Sequence, residues 1–288
     1  MKASQSTKVA QIVADPVELR RLMEQARAQG RSVGLVPTMG AVHEGHLSLV
    51  DASKRQCGLT VVTIFVNPAQ FSPGDDFQRY PRPLETDLKL LAARGADAVF
   101  TPSDETMYGD RHATFVEMGG PALPLEGKFR PGHFRGVATI VLKLFNMLRP
   151  DRAYFGRKDY QQSVVVRRMV DDLDFSIHIE VCPTVREPDG LALSSRNVFL
   201  SADERRRAVS ISASLRLARR MVEQGETDPA TVISRMKAML EDADLKIDYA
   251  ALADPDTLAP VETLKRPAVA LVAAWVGATR LIDNELIG

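Results

Sequence analysis

Three observations predict an α/β chain, with a doubly wound parallel sheet followed by a smaller α+β domain. First, Leu59–Val66 reads LTVVTIFV, nearly all apolar and β-branched, as a strand covered on both faces requires. Second, apolar runs at Val33–Val36, Leu59–Val66, Ala98–Phe100, Ala153–Phe155 and Ile177–Thr184 alternate with helical spacing, the pattern of parallel strands joined by crossover helices. Third, the alternation stops near Val185. Helical segments at Ala202–Glu223 and Pro229–Glu241 then precede strand-like runs at Ile247–Ala253, Ala268–Val276 and Thr279–Ile282. The expected division is a Rossmann-like domain over residues 1–184 and an α+β domain over residues 185–288.

In chain order, Val9–Val13 reads as a short edge strand. Asp15-Pro16-Val17-Glu18 opens a helix with a capping acid, proline at the first helical position and glutamate at the third; Gly30 closes it. The Val33–Val36 strand runs into Pro37-Thr38-Met39-Gly40-Ala41-Val42-His43-Glu44-Gly45-His46, where Pro37 and Gly40 punctuate a turn and helical spacing begins at His43 and continues to about Lys54. A strand, tight loop and helix in this order aim the first helical N–H groups outward at the sheet's carboxyl edge, a ready phosphate site. His43 and His46, three apart, project from one face of the first turn, and Gly45 lets another group approach the backbone. Paired histidines on an amphipathic helix are more often plain surface residues; their place in this loop favours an ATP site.

The Leu59–Val66 strand ends in Asn67-Pro68-Ala69-Gln70-Phe71, so Asn67 and Gln70 fall where open α/β sheets hold ligands, although Asn before Pro is also an ordinary turn. Asp75, Asp76, Arg79, Tyr80 and Arg82 lie in a polar loop too long for a simple connection. The helix expected over Leu84–Ala93 carries Asp87 in its first turn, where a carboxylate either caps or sits beside Mg²⁺. Leu125–Gly136 is a glycine-punctuated basic loop before a helix at Val137–Met147. Gly156-Arg157-Lys158-Asp159-Tyr160-Gln161-Gln162 again joins a strand to a helix, with Lys158 either pairing with Asp159 or clamping phosphate. Arg186–Asn197 is rich in turns, and its Ser194, Ser195 and Arg196 suit either a helix cap or a lid over phosphate oxygens.

Composition narrows the class. Lys plus Arg equals Asp plus Glu at 37 each, so the chain lacks the global basic excess of a nucleic-acid binder. Cys57 and Cys182 are too few for a disulfide framework, lack metal-ligand spacing and are expected as buried free thiols. Met1–Val13 has no continuous apolar core and no later run reaches membrane-spanning length, so a soluble cytoplasmic protein is expected.

PTMGAVHEGH is similar to the HIGH signature of enzymes that activate a carboxylate or a phosphate with ATP. Together with FVNPAQF, RYPR, GKFRPGHFRGV, YFGRKDYQQ and DGLALSSRN, in that order and over nearly the whole length, it resembles the pantoate–β-alanine ligase family. Arg157 departs from the pattern, since many relatives carry Glu there. The resemblance implies ligation of pantoate to β-alanine through a pantoyl adenylate, with ATP and Mg²⁺, by a homodimer. It further implies that Met39, Gly40, Ala41, Val42, His43, Glu44, Gly45 and His46 bind ATP, with His46 as proton donor. Gly156, Arg157, Lys158, Asp159, Val185, Leu193, Ser194, Ser195 and Arg196 also contact the nucleotide in that reading. Gln70 and Gln162 would hold pantoate with Asn67 beside them, and Asp87 aligns with a position linked to Mg²⁺. His43, His46, Lys158 and Arg196 are the donors and cations that adenylation needs around its phosphate oxygens. Two other readings stay open: a nucleotidyltransferase or truncated aminoacyl-tRNA synthetase with another acceptor, and a nucleotide-binding regulatory module without catalysis.

Overall fold

The apolar runs of the N-terminal part form a six-stranded, all-parallel sheet, and those of the C-terminal part a three-stranded antiparallel one. The computed structural model describes residues 10–71, 77–265 and 267–288. Two compact units result: Met1–Met118, Pro131–Gly156 and Val165–Cys182 in the first, and Gly119–Arg130, Arg157–Val164 and Pro183–Gly288 in the second.

In the first unit, β1 (Gln11–Val13), β2 (Val33–Thr38), β3 (Leu59–Ile64), β4 (Ala98–Phe100), β5 (Arg152–Gly156) and β6 (His178–Cys182) stand in the order β1-β4-β3-β2-β5-β6. Successive strands move outward from β2 through β3 to β4, then return to β5 on its other side. The carboxyl ends of β2 and β5 therefore flank the switch point at which open parallel sheets bind ligands. Flanking helices include α1 (Pro16–Ala28), α2 (Glu44–Gln56), α3 (Leu84–Ala93), α4 (Asp104–Tyr108) and, after α5 of the second unit (Glu126–Phe129), α6 (His133–Leu148). Val36, Val50, Val62, Leu91, Val99 and Tyr154 share one of its buried clusters, each large apolar side chain contributing about 1.5–3 kcal/mol. Cys57 and Cys182 are buried free thiols, as expected.

Two elements outrun their predicted bounds by four residues or more. α6 begins at His133 instead of Val137, because Gly132, at φ +81°, turns the chain straight from the basic loop into the helix. In the second unit, α8 (Ala202–Glu223) and α9 (Pro229–Asp242) pack with β7 (Lys246–Ala253), β8 (Ala268–Val276) and β9 (Thr279–Ile287), while α7 (Tyr160–Asp172) starts within its middle segment. β9 runs to Ile287, well past the expected Ile282. Its Asp283 and Asn284 interrupt the apolar pattern yet are buried, and each has polar partners that make burial affordable. No helix among the described residues is long and apolar enough to cross a membrane.

Candidate active site

The turn after β2 is held from three sides. Thr38 donates its hydroxyl to the Thr63 carbonyl (2.7 Å) and accepts the Gly40 amide (3.1 Å). Gly40 (φ +83°) and Ala41 (φ +49°) are both left-handed, and for a non-glycine residue that conformation costs roughly 1–2 kcal/mol. Asp87 compensates: its two carboxylate oxygens accept the Ala41 and Val42 amides, each at 2.8 Å. Burial raises the Asp87 pKa, and the two amide hydrogen bonds offset only part of that rise.

Asp87 was expected to cap α3 or to sit beside Mg²⁺. It does not cap its own helix, whose N-cap is Pro83 with no side-chain cap bond. With 1% of its surface exposed and both oxygens on backbone amides, its carboxylate does not fit a metal ligand. Among the described residues no group of three or more His, Cys, Asp or Glu is placed to hold an ion, and Asp75 and Asp76 lie outside them.

The histidines meet as the spacing predicts, with ring centroids 4.1 Å apart. His43 is the N-cap of α2: its Nδ1 accepts the Gly45 amide (3.1 Å), while Nδ1 of His46 accepts the His43 amide (3.4 Å). A neutral imidazole whose Nδ1 accepts carries its proton on Nε2. Each ring is thus fixed as an Nε2–H donor at the positive end of a helix. Glu44 turns aside to pair with Arg94, which also holds Asp51 (3.1 Å).

At the end of β3, Asn67 is 1% exposed and saturated. It donates to the Gln70 side-chain oxygen (3.0 Å) and the Gly136 carbonyl (3.1 Å), and accepts from the Tyr108 hydroxyl (2.7 Å) and the Ala69 amide (3.3 Å). Asn67 therefore orients Gln70 and has nothing left for a substrate. Gln70 Nε2 donates to the Met39 sulfur (3.1 Å). Nδ1–H of His133 donates to the Gln70 carbonyl (2.8 Å), and a Cβ on Gly136 would come within 2.1 Å of the Ala69 carbonyl oxygen. The second half of the basic loop thus builds the Gln70 turn. Burial, then the Asp104 charge, pushes the Tyr108 hydroxyl up to about 12, keeping it a donor.

In the second unit the Arg157–Asp159 turn carries Lys158, whose pair with Asp159 is stretched to 3.9 Å, too loose to compete with a phosphate. Gln161 is structural: it accepts the Glu126 amide and donates to the Pro121 and Pro124 carbonyls. Gln162, one residue on, is half-buried and makes no such bridge among the described residues. Glu126 itself is 5% exposed. Burial drives its pKa up, but the hydrogen bonds and charge of Arg280, with Arg130 and Tyr249, leave it below the ordinary value. Val185 and Leu193 face each other across a small hairpin, since the Leu193 amide donates to the Val185 carbonyl (3.0 Å) and Arg186 bridges to Ala192. Ser194 caps the following short helix by accepting the Arg196 amide (3.2 Å), and Asn197 ties it to Glu187 (3.0 Å) and the Ala192 carbonyl.

A model of the pantoate–β-alanine ligase family matches residues 11–286. The chain belongs to that family. It is 51% identical over 270 residues to the pantothenate synthetase of Moorella thermoacetica, spanning 93% of this chain and 95% of that one. To the pantothenate synthetase of Thermotoga neapolitana it is 49% identical, with 94% and 97% covered. The crystal structure of pantothenate synthetase from Thermus thermophilus superposes with a TM-score of 0.91 at 44% identity, over 96% of this chain and 98% of that one. The Francisella tularensis pantoate–β-alanine ligase, solved with β,γ-ATP and β-alanine, gives 0.81 at 34% identity, covering 96% and 97%. The chain is an ATP-dependent ligase that joins pantoate to β-alanine. Sequence reasoning missed Tyr108, Gly136 and Asn284 as parts of the site's support. For Asn284 a signal was present: an uninterrupted polar triplet, Asp283-Asn284-Glu285, inside an apolar strand.

Proposed function

We propose that ligation runs through two half-reactions. In the first, a pantoate carboxylate oxygen bonds to the α-phosphorus of ATP while the bond to the bridging oxygen breaks, and pyrophosphate leaves with that electron pair. In the second, the β-alanine amine attacks the acyl carbon of pantoyl adenylate, the acyl–oxygen bond breaks and AMP departs. The observation that carries this reading is the paired histidine cap, which sets two Nε2–H donors at a helix N-terminus, where charge on phosphate oxygens is best met.

In this proposal Met39–His46, Gly156–Asp159, Val185 and Leu193–Arg196 contact ATP, and His46 donates to the departing phosphate oxygens. His43, Lys158 and Arg196 share the charge. Gln70 and Gln162 hold pantoate, whose hydroxyls and carboxylate need both donors and acceptors, and Asn67 serves by orienting Gln70. Magnesium enters as part of the MgATP substrate. Residues 1–184 carry most of the ATP and pantoate contacts, and the Ser194–Arg196 segment of residues 185–288 shields the water-labile adenylate. A homodimer acting on small molecules in the cytoplasm, with neither nucleic acid nor membrane as partner, completes the reading.

Pyrophosphate release tests it. With ATP, Mg²⁺ and pantoate, a burst near one equivalent per site is expected, turning into steady release when β-alanine is added. Release that ignores pantoate, or that needs β-alanine from the first turnover, would refute the adenylate route.

A further inference from the structure

The last strand of the second unit, β9, carries a polar triplet, Asp283-Asn284-Glu285, that no site assignment uses. Asn284, 3% exposed on β9, donates from its side-chain nitrogen to two successive carbonyls, those of Arg157 (2.9 Å) and Lys158 (2.8 Å). Both partners are acceptors only, so the orientation of the carboxamide is dictated by chemistry. Its Oδ1 is buried with no hydrogen-bond partner among the described residues, a cost the fold tolerates in order to keep both donors on that turn.

Asp283, the preceding residue and 4% exposed, grips Arg186 with both oxygens (2.6 and 3.1 Å), and Arg186 also donates to the Gly190 carbonyl (3.2 Å). Glu285 adds a longer contact to Arg186 (3.8 Å) and a close one to Arg219 (2.6 Å). Neighbouring residues of a strand point to opposite faces, so one stretch of backbone can reach two separate segments. One of them is the Lys158 turn; the other is the hairpin that carries Val185 and Leu193.

We propose that Asp283 and Asn284 are positioning residues, which register the Lys158 turn and the Val185–Leu193 hairpin on a single strand so that both present one geometry to the triphosphate. The proposal rests on the reading above, in which Lys158 and Leu193–Arg196 serve ATP. Hydrogen bonds to the carbonyls on both sides of the Lys158 peptide set where its Cα sits. A shift of about 1 Å in a charge-stabilising group costs up to roughly 100-fold in rate.

The test is pantoate-dependent exchange of pyrophosphate into ATP, in Asn284→Ala, Lys158→Ala and the double variant, with thermal melting as a check on folding. Asn284→Ala should lower the exchange rate about 10- to 100-fold and leave the pantoate KM within about twofold of the parent. In the Lys158→Ala background the same change should cost less than about threefold, because the group it positions is gone. Asn284→Asp, which turns a carboxylate toward two carbonyls, should be at least as poor as alanine. Should the alanine variant fail to fold, Asn284→Ser, which keeps one donor, is expected to show an intermediate loss of about 3- to 10-fold. A parental exchange rate in Asn284→Ala or Asn284→Ser, or a full additional loss in the Lys158→Ala background, would overturn the proposal. Parental exchange in Lys158→Ala would instead overturn the reading on which it rests.

Discussion

The two turns proposed to serve the nucleotide are built with opposite polarity. After β2, the chain exposes two consecutive amides, those of Ala41 and Val42, and a buried carboxylate, Asp87, accepts both. After β5, it exposes two consecutive carbonyls, those of Arg157 and Lys158, and a buried carboxamide, Asn284, donates to both. The first brace carries charge and a titration, and it holds a left-handed turn; the second is neutral and holds an ordinary one. A side chain distant in sequence sets each motif, and the hydrogen-bond polarity of the turn determines which side chain can do so.

The largest effects should come from the groups these turns present. His46→Ala and Lys158→Ala are each expected to lower the adenylation rate roughly 10²- to 10³-fold, the usual loss for one transition-state donor. Single-turnover pyrophosphate release reads the rate directly. A near-parental rate in either variant would remove that residue from the mechanism and leave its turn a structural feature only.

Next in size is the charged brace. In Asp87→Asn an NH₂ group meets one of the two amides, leaving a buried donor unpaired at about 1–3 kcal/mol, which a urea midpoint detects. The pH dependence separates this brace from the neutral one. Burial raises the folded-state pKa of Asp87 above 3.8, so the native protein keeps a proton that the unfolded chain has already released. Its contribution to stability is therefore greatest at acid pH and falls as pH climbs from 3.8 through the folded value. Glu126 has the opposite sign. Its lowered pKa gives stability that is present above 4.5 and lost as pH falls through the folded value. Asp87→Asn should remove only the first slope, and an unaltered stability–pH curve would mean that Asp87 is not the ionised acceptor of the turn.

What could be read from sequence divides along the same line. The strands were legible because β-branched runs such as Leu59–Ile64 report burial locally, and PTMGAVHEGH because its strand, turn and helix are contiguous. The pairing of the two histidine rings followed from a spacing of three, whereas their role in capping α2 did not. The partners of the braces were not legible, since Asp87 acts across 46 residues and Asn284 across 126. Asp87 was expected to cap or to meet Mg²⁺ because its helix position was visible and its partners were not. The same gap shortened the expected last strand: Asp283-Asn284-Glu285 reads as its end until Arg186 and the Lys158 turn supply partners. Gln161 and Gln162 are alike in sequence and part only when Pro121 and Pro124 are seen to occupy the first.

The smallest effects sharpen the comparison most, because both turns contain a glycine. Gly40 sits at φ +83°, and an added Cβ would meet the Asp87 carboxylate at 3.0 Å and the Ile64 side chain at 3.1 Å. Gly40→Ala should therefore cost about 1–2 kcal/mol for the left-handed backbone alone, and it presses on the brace as well. At Gly156 the backbone is not left-handed and an added Cβ would meet nothing within 4 Å. Gly156→Ala should leave the urea midpoint within about 0.5 kcal/mol of the parent. If its ATP KM nonetheless rises while stability holds, the open space at Gly156 is room for the nucleotide. An unchanged KM would instead confine the close approach of ATP to the β2 turn, and make the second turn a platform for Lys158 alone.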